Sequence, residues 1–168
     1  MLRTINNALV MTARELTGKQ PSPTAGVIDT QSVKTTESGG IRGVDAGKKI
    51  NSRKRHIVVD TLGLIVGLVI RSDGIQDRDS ATDVLKTILK RWPWLRHVFA
   101  DGGYAGPKLK HRQEKVGKFT LEIAKRSDHA DVFKLLPRRW VVERTIAWLE
   151  RRRRLAKDFE KTVASAEA

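Results

Sequence analysis

Residues 97–106 read HVFADGGYAG, an apolar run that ends in an acid and is followed by two glycines. The run has the length and composition of a buried strand, so Asp101 falls where that strand would emerge into a loop. An aspartate at such a place is most often a turn former. The alternative is a functional carboxylate, and the choice depends on which other acids meet Asp101 in space.

The composition indicates one domain with a nucleic-acid partner. The chain has 168 residues, enough for a single core. It carries 33 Lys and Arg against 19 Asp and Glu, a formal net charge of +14. A compact domain with that excess attracts polyanions, and nucleic acid is the commonest of them. Ribosomal proteins, repressors and nucleases all fit this charge equally well, so it indicates a class of partner and not an activity.

The sequence also indicates a compartment. Cysteine is absent, which excludes disulfides and Cys-based zinc sites and is typical of a reducing cytosol. No stretch reaches the roughly 18 apolar residues of a membrane helix. The first 16 residues lack the apolar core of a secretion signal. We therefore expect a cytoplasmic protein with no membrane partner.

The periodicity predicts an α/β fold. Leu2, Ile5, Leu9 and Leu16 have the spacing of a short amphipathic helix, and Gly and Pro residues then indicate a linker. Apolar runs predict strands, a helical period predicts a helix ended by Pro93, and the last helix is rich in Arg. The predicted strands are 26–34, 55–61, 64–72, 96–101 and 119–126; the predicted later helices are 81–92, 107–116 and 138–160. This order predicts a mixed five-stranded sheet, a three-strand meander followed by alternating helices and strands, flanked by helices.

Three acids are placed where they could act together. Asp29 is expected at the end of the first strand, Asp101 follows the fourth, and Glu143 lies in the last helix. An enzyme that cuts or joins nucleic-acid strands needs two divalent cations about 4 Å apart, held by carboxylates on rigid elements. At 100° per residue, Glu143 points away from the apolar side of its helix and shares a face with Arg139.

Each acid also has a simpler interpretation. Asp29 or Asp101 alone is more often a turn or cap residue, and Glu143 alone is more often half of a surface ion pair. Trp140 and Trp148 are more often core residues than base-stacking platforms. Other acids lie near strand ends or a helix start: Asp60, Asp73 and Asp77 are expected in turns, with Asp79 and Ser80 as helix caps. The residues alone leave these alternatives open.

Longer motifs carry a family resemblance. VIDTQSVKTTE, GVDAGKKINSRKRHIVVDTLG, IQDRDSA, ADGGYAG and LPRRWVVERTIAWLERRRRLAKDFE occur in this order. Together they resemble bacterial insertion-sequence transposases of the insertion-sequence-five family, DDE-type enzymes with an RNase H-like catalytic domain. The resemblance runs from about residue 27 to residue 160 and agrees with the predicted order of strands and helices.

The resemblance implies a site and an activity. By position, the family's catalytic and metal-binding acids fall on Asp29, Asp101 and Glu143, which would bind two Mg²⁺ ions, with Mn²⁺ as an alternative. The implied activity is metal-dependent DNA strand cleavage and strand transfer in transposition, carried out by a homo-oligomer on the transposon ends and target DNA. Gly102 and Gly103 would keep side chains away from the metals and the phosphate, and Tyr104 is expected to pack.

The basic residues are then expected to contact the DNA backbone. The candidates are Lys34, Lys48, Lys49, Arg53, Lys54, Arg55, His56, Arg139, Arg144 and Arg151. The expected organisation is an N-terminal helical remnant and linker over 1–26, the catalytic domain over 27–160, and a truncated tail over 161–168. Relatives carry an N-terminal region that recognises the element's ends. The alternative hypothesis is therefore a catalytically inactive DNA-binding product, either a regulator or a decayed remnant. A generic basic domain would predict no relation among the three acids.

Overall fold

The protein is described by a computed structural model that covers residues 2–37, 40–45, 49–106, 119–124 and 139–167. The strands are β1 (Ala25–Lys34), β2 (Gly43–Asp45), β3 (Ile50–Asp60), β4 (Ile65–Ser72), β5 (His97–Ala100) and β6 (Thr120–Ile123). The helices are α1 (Leu2–Leu16), α2 (Asp77–Arg91), α3 (Arg139–Glu150), α4 (Arg153–Ala156) and α5 (Val163–Glu167), with a 3₁₀ turn at Gly102–Tyr104. The predicted helix at 107–116 lies outside the described residues. No helix within the described ranges has the length and apolarity to cross a membrane.

The strands form one mixed sheet with β1 at its centre. β1 pairs antiparallel with β3 and parallel with β5, β4 pairs antiparallel with β3, and β6 pairs parallel with β5. This is the predicted meander followed by parallel strands, and the RNase H-like arrangement is confirmed. Within the described ranges the sheet has six strands rather than five, because the segment expected to be a loop contributes β2 and the first five residues of β3.

Alternate residues of the central strands supply two separate cores. Ile28, Val58 and Val98 belong to the apolar cluster that α2 completes. Val27, Ile57 and Phe99 belong to the cluster that contains Val141 and Val142 of α3. Because successive strand residues point to opposite faces, any residue two positions beyond Val27 or Phe99 lies on the α3 face.

The turn between β3 and β4 is held by an aspartate, as predicted. The carboxylate of Asp60 accepts the amides of Leu62 and Leu64 at 2.9 Å each and pairs with Arg14 of α1. α1 has the predicted extent but not the predicted face. Leu2, Ile5, Leu9 and Leu16 are exposed, whereas Val10 and Arg14 are buried. The buried turn carboxylate selects the face that brings Arg14 to it.

The last helix is shorter than predicted, because the chain leaves it to extend the sheet. Arg152 is extended, and α4 follows as one short turn. The amide of Asp158 then donates to the carbonyl of Lys34, the last residue of β1, at 2.9 Å. The Asp158 carboxylate meets Arg53 at 3.1 Å, and both side chains are buried. Near the C-terminus, Glu167 accepts the amide of Ile70 at 2.8 Å, which attaches α5 to β4.

Loss of the buried Arg53 cation should strongly destabilise the protein. We expect Arg53→Met to lower the free energy of unfolding by about 3–5 kcal/mol, because Asp158 would remain buried without its partner. Arg71→Met removes a pair that is exposed and 3.8 Å long, and it should cost less than about 1 kcal/mol. Urea denaturation followed by circular dichroism measures both. Equal effects of the two substitutions would contradict the structural role of Arg53.

Candidate active site

The parallel pairing of β1 with β5 places two aspartates side by side. The described register ends at Val27 opposite Phe99. Asp29 and Asp101 each lie two residues further along their strand directions, so they project from the α3 face at the same level. Asp29 is in the middle of β1, not at its end as predicted, because β1 continues alongside β3 after β5 has stopped. The paired level is nevertheless the carboxyl end of β5.

Asp101 is both a turn residue and a site residue. Its Oδ1 accepts the amide of Gly103 at 2.9 Å and caps the 3₁₀ turn. Its Oδ2 lies 3.4 Å from the guanidinium of Arg139. A Cβ on Gly103 would lie 3.0 Å from Oδ1 of Asp101, so a side chain there would displace the carboxylate, whereas Gly102 faces open space. We expected both positions to require glycine. The structure gives a steric reason at Gly103 and none at Gly102.

Glu143 reaches the aspartates through Arg139. Both residues lie on α3, whose apolar side packs on the sheet through Val141 and Val142. The Nε of Arg139 is 3.1 Å from Oε1 of Glu143, so one guanidinium is shared between Glu143 and Asp101. The Glu143 side chain is half exposed. The helix thus brings its carboxylate to the same face of the sheet as the two aspartates.

Asp29 is the buried member of the group. It is 9% exposed, and burial raises its pKa from the ordinary 3.8 to about 6. The amide of Thr30 and the charge of Arg139 lower that pKa, while the carboxylates of Asp101 and Glu143 raise it further. Asp29 therefore interacts electrostatically with Arg139, Asp101 and Glu143. A carboxylate in this environment is stabilised by added positive charge.

A fourth acid lies beside the group and was not selected from the sequence. Asp77, expected to be a turn residue, opens α2 and accepts the hydroxyl of Thr30 at 3.2 Å. Its carboxylate is 2.9 Å from the ammonium of Lys54 and 3.5 Å from the Cβ position of Gly103. The motif IQDRDSA carried the only sequence signal for this residue. The expected caps Asp79 and Ser80 lie inside α2, because the helix begins earlier.

Tyr104 packs, as expected. Its side chain is buried, and its hydroxyl lies 3.4 Å from Nδ1 of His56. Burial is the main cause that raises the pKa of Tyr104 well above its usual range, and Asp77, Asp29 and Asp101 add to it. Burial also lowers the pKa of His56 to about 4. Both shifts favour the uncharged forms of Tyr104 and His56.

The predicted DNA-contacting residues fall into distinct groups. Arg53, Arg55 and His56 are buried, and their side chains bind protein groups instead of reaching the surface. The structure gives these three a structural role, because β3 is a central strand covered on both faces. Lys54, Arg139 and Arg144 have protein partners but retain partial exposure. Lys34, Lys49 and Arg151 are exposed, and Lys48 lies outside the described residues.

The two tryptophans of α3 are not core residues. Trp140 is 43% exposed and Trp148 is 54% exposed. The guanidinium of Arg144 lies 4.7 Å from the first ring and 4.9 Å from the second. The expectation that both tryptophans are core residues is wrong. The helix packs on the sheet through Val141, Val142 and Thr145, and the side that carries the tryptophans is left exposed.

A comparison with family models decides the relationship. The model described as "Transposase DDE domain" matches residues 20–168, most of the chain. The chain belongs to the transposase DDE domain family. The DDE domain is also similar to a putative transposase for insertion sequence element IS402 from Burkholderia cepacia, with 30% identity over 115 residues. The alignment covers 64% of this chain and 54% of that protein, so the chain spans about half the length of this relative.

Solved structures show likeness of fold. The DDE domain is similar to a chain of the simian T-cell lymphotropic virus intasome in complex with a PP2A regulatory subunit, with a TM-score of 0.50, 14% identity and coverage of 77% of this chain and 40% of that one. A Mos1 transposase paired-end complex matches with a TM-score of 0.41, 11% identity and coverage of 76% and 42%. At 14% identity the match to the intasome chain concerns the fold alone.

The burial of Asp29 predicts that its ionised carboxylate lowers the stability of the metal-free protein. Because its pKa in the folded state is raised to about 6, its contribution is fully present below pH 4 and is lost as the pH rises through 6. Asp29→Asn should therefore stabilise the metal-free protein at pH 7.5 by up to about 3 kcal/mol, and much less at pH 4.5. Urea denaturation at both pH values measures this. The exposed change Asp83→Asn is the control, and an equal effect of Asp29→Asn at the two pH values would refute the account.

Proposed function

We propose that this DDE domain cleaves DNA strands and transfers them in the transposition of an insertion sequence. The observation that carries the proposal is the convergence of Asp29, Asp101 and Glu143 around one cationic position, which Arg139 holds in this structure. Membership of the family agrees with that chemistry. We assign the catalytic and metal-binding roles to these three acids, and we place the chain in the insertion-sequence-five group by its motifs.

The donor set fits divalent cations. Every candidate ligand is a carboxylate oxygen, the donor that Mg²⁺ and Mn²⁺ prefer. Within the described residues no three His, Asp or Glu side chains are already arranged to hold a metal ion. Arg139 gives the physical reason, because its guanidinium stands between Asp101 and Glu143. We propose that Asp29, Asp101 and Glu143 would hold two Mg²⁺ ions, with Mn²⁺ as an alternative, once the guanidinium of Arg139 has left these carboxylates.

The chain's own residues prepare the site for that exchange. When bound, the cations would activate the attacking oxygen and stabilise the leaving oxygen of an in-line displacement at phosphorus. Gly103 holds Oδ1 of Asp101 and leaves Oδ2 towards the site. Glu143 is half exposed and can adjust its position. Arg139, once released, would be free to meet a DNA phosphate at the reacting centre.

The partners follow from charge and exposure. We propose that the exposed Lys34, Lys49 and Arg151 contact the DNA backbone and position the duplex without reading its sequence. We further propose a homo-oligomer that joins transposon ends to target DNA, acting in the bacterial nucleoid. Recognition of the ends would belong to a region outside the catalytic domain.

Strand cleavage tests the roles assigned to Asp101 and Glu143. A supercoiled plasmid carrying the DNA that flanks the coding sequence should be nicked in Mg²⁺ and not in EDTA. Asp101→Asn and Glu143→Gln should each reduce the nicking rate by roughly a thousandfold or more, as expected for groups that act in the transition state. The readout is the conversion of supercoiled to open-circular plasmid on agarose gels.

The matched control is Asp83→Asn, which neutralises an exposed acid on α2, across the sheet from α3. It should leave the nicking rate unchanged. Cleavage that survives Asp101→Asn would show that the activity comes from a different site or a contaminant. A chain that binds DNA but never nicks it would support the inactive DNA-binding product.

A further inference from the structure

The two exposed tryptophans of α3 and the arginine between them form a continuous surface, which we call the tryptophan ladder (Trp140, Arg144 and Trp148). The residues are four apart, so they lie along one side of the helix. Exposed fractions of 43% and 54% are large for tryptophan, whose burial is strongly favourable. Such a surface indicates a binding partner.

The ladder is held rigidly by its central residue. Arg144 stacks between the two indoles at 4.7 and 4.9 Å and donates a hydrogen bond to the carbonyl of Leu62 at 2.8 Å. That carbonyl belongs to the turn fixed by Asp60. The rings are thereby oriented before any partner arrives, which reduces the entropy lost on binding.

The charge around the ladder selects a polyanion. From Arg144 to Arg154 the chain has five arginines and one acid, Glu150, and Arg151–Arg154 are all exposed. A protein partner would need a strongly acidic face to match this surface. Single-stranded nucleic acid supplies both required features, a line of phosphates for the arginines and unpaired bases for the aromatic rings.

The ladder begins next to the acids, at Trp140. At about 100° per residue, Trp140 is about 60° and Trp148 about 140° around α3 from Glu143. Arg139, which touches Asp101 and Glu143, directly precedes Trp140. A DNA strand that reaches these carboxylates therefore passes beside Trp140, and the ladder leads from there along α3 to Trp148.

We propose that the tryptophan ladder binds unpaired bases of a single DNA strand next to the proposed cleavage site. The proposal rests on the proposed function for its choice of DNA, and it adds a surface that grips single strands through stacking. Stacking needs the planar face of the ring and not only its apolar area. This requirement separates the ladder from a general basic surface.

Fluorescence anisotropy with a labelled single-stranded oligonucleotide in EDTA tests the ladder without cleavage. Trp148→Leu should weaken binding roughly five- to a hundredfold, because each stacked base contributes on the order of a few kcal/mol. Trp148→Phe should recover most of the affinity. The same strand annealed to its complement should be bound with little change by all three proteins.

The matched control is Trp94→Leu. Trp94 is 60% exposed and carries its own arginine partner, Arg96, at 5.7 Å, but it precedes β5, at the opposite end of that strand from Asp101. It should not change affinity for the single strand. Circular dichroism checks that the variants fold, and little change is expected because both rings are largely exposed.

Three results would contradict the proposal that the tryptophan ladder binds single-stranded DNA. In the first, Trp148→Leu has no more effect on single-strand affinity than Trp94→Leu. In the second, Trp148→Leu weakens single-strand and duplex binding equally. In the third, it alters only the sedimentation coefficient, which would show that the surface is a protein contact. Asp101→Asn, measured in parallel, should abolish nicking but keep oligonucleotide binding. Wild-type protein that fails to nick would count against the proposed function, while a phenylalanine-rescued binding defect would still support the ladder.

Discussion

The parallel pairing of β1 with β5 is the constraint on which the site depends. It sets Asp29 and Asp101 at one level and on one face, because each follows the pair Val27–Phe99 by two residues. The apolar cluster below them holds α3 against the same face through Val141 and Val142. A register shift of one residue would turn one of the acids to the α2 face. The core on the α3 side therefore does two things: it stabilises the sheet and it aligns the carboxylates.

Electrostatics explains why an arginine belongs in this arrangement. Three carboxylates on one face repel each other, and burial disfavours the charge on Asp29 most. Arg139 offsets part of that repulsion by standing between Asp101 and Glu143. In the metal-free protein, Arg139 thus supplies the positive charge between the carboxylates. We propose that Arg139 moves from the carboxylates to a DNA phosphate. This one movement would free the carboxylates for metal ions and would also provide the phosphate contact.

Much of the fold could be predicted, because it rests on strong local patterns, and the three candidate acids of the sequence lie on one face of the sheet. The apolar runs predicted β1, β4 and β5, and the family motifs identified Asp29, Asp101 and Glu143 as candidate site residues. Long-range contacts defeated the rest. The face of α1 depends on the distant Asp60, and Arg53 and His56 are buried against Asp158 and Tyr104, which come from distant parts of the chain. Asp77 and the tryptophans of α3 were misjudged because local sequence does not show which side of a helix remains uncovered.

The central claim is that Asp29, Asp101 and Glu143 share one cation position. Paramagnetic line broadening by Mn²⁺ in ¹⁵N-labelled protein tests it most directly. We expect selective loss of the amide signals of Thr30, Gly102 and Gly103 and of residues near Glu143, together with a shift of the Arg139 side-chain signal as its carboxylates are taken. Mg²⁺ in excess should restore the spectrum. Broadening centred elsewhere, or an Arg139 signal that does not respond to a bound ion, would contradict the account.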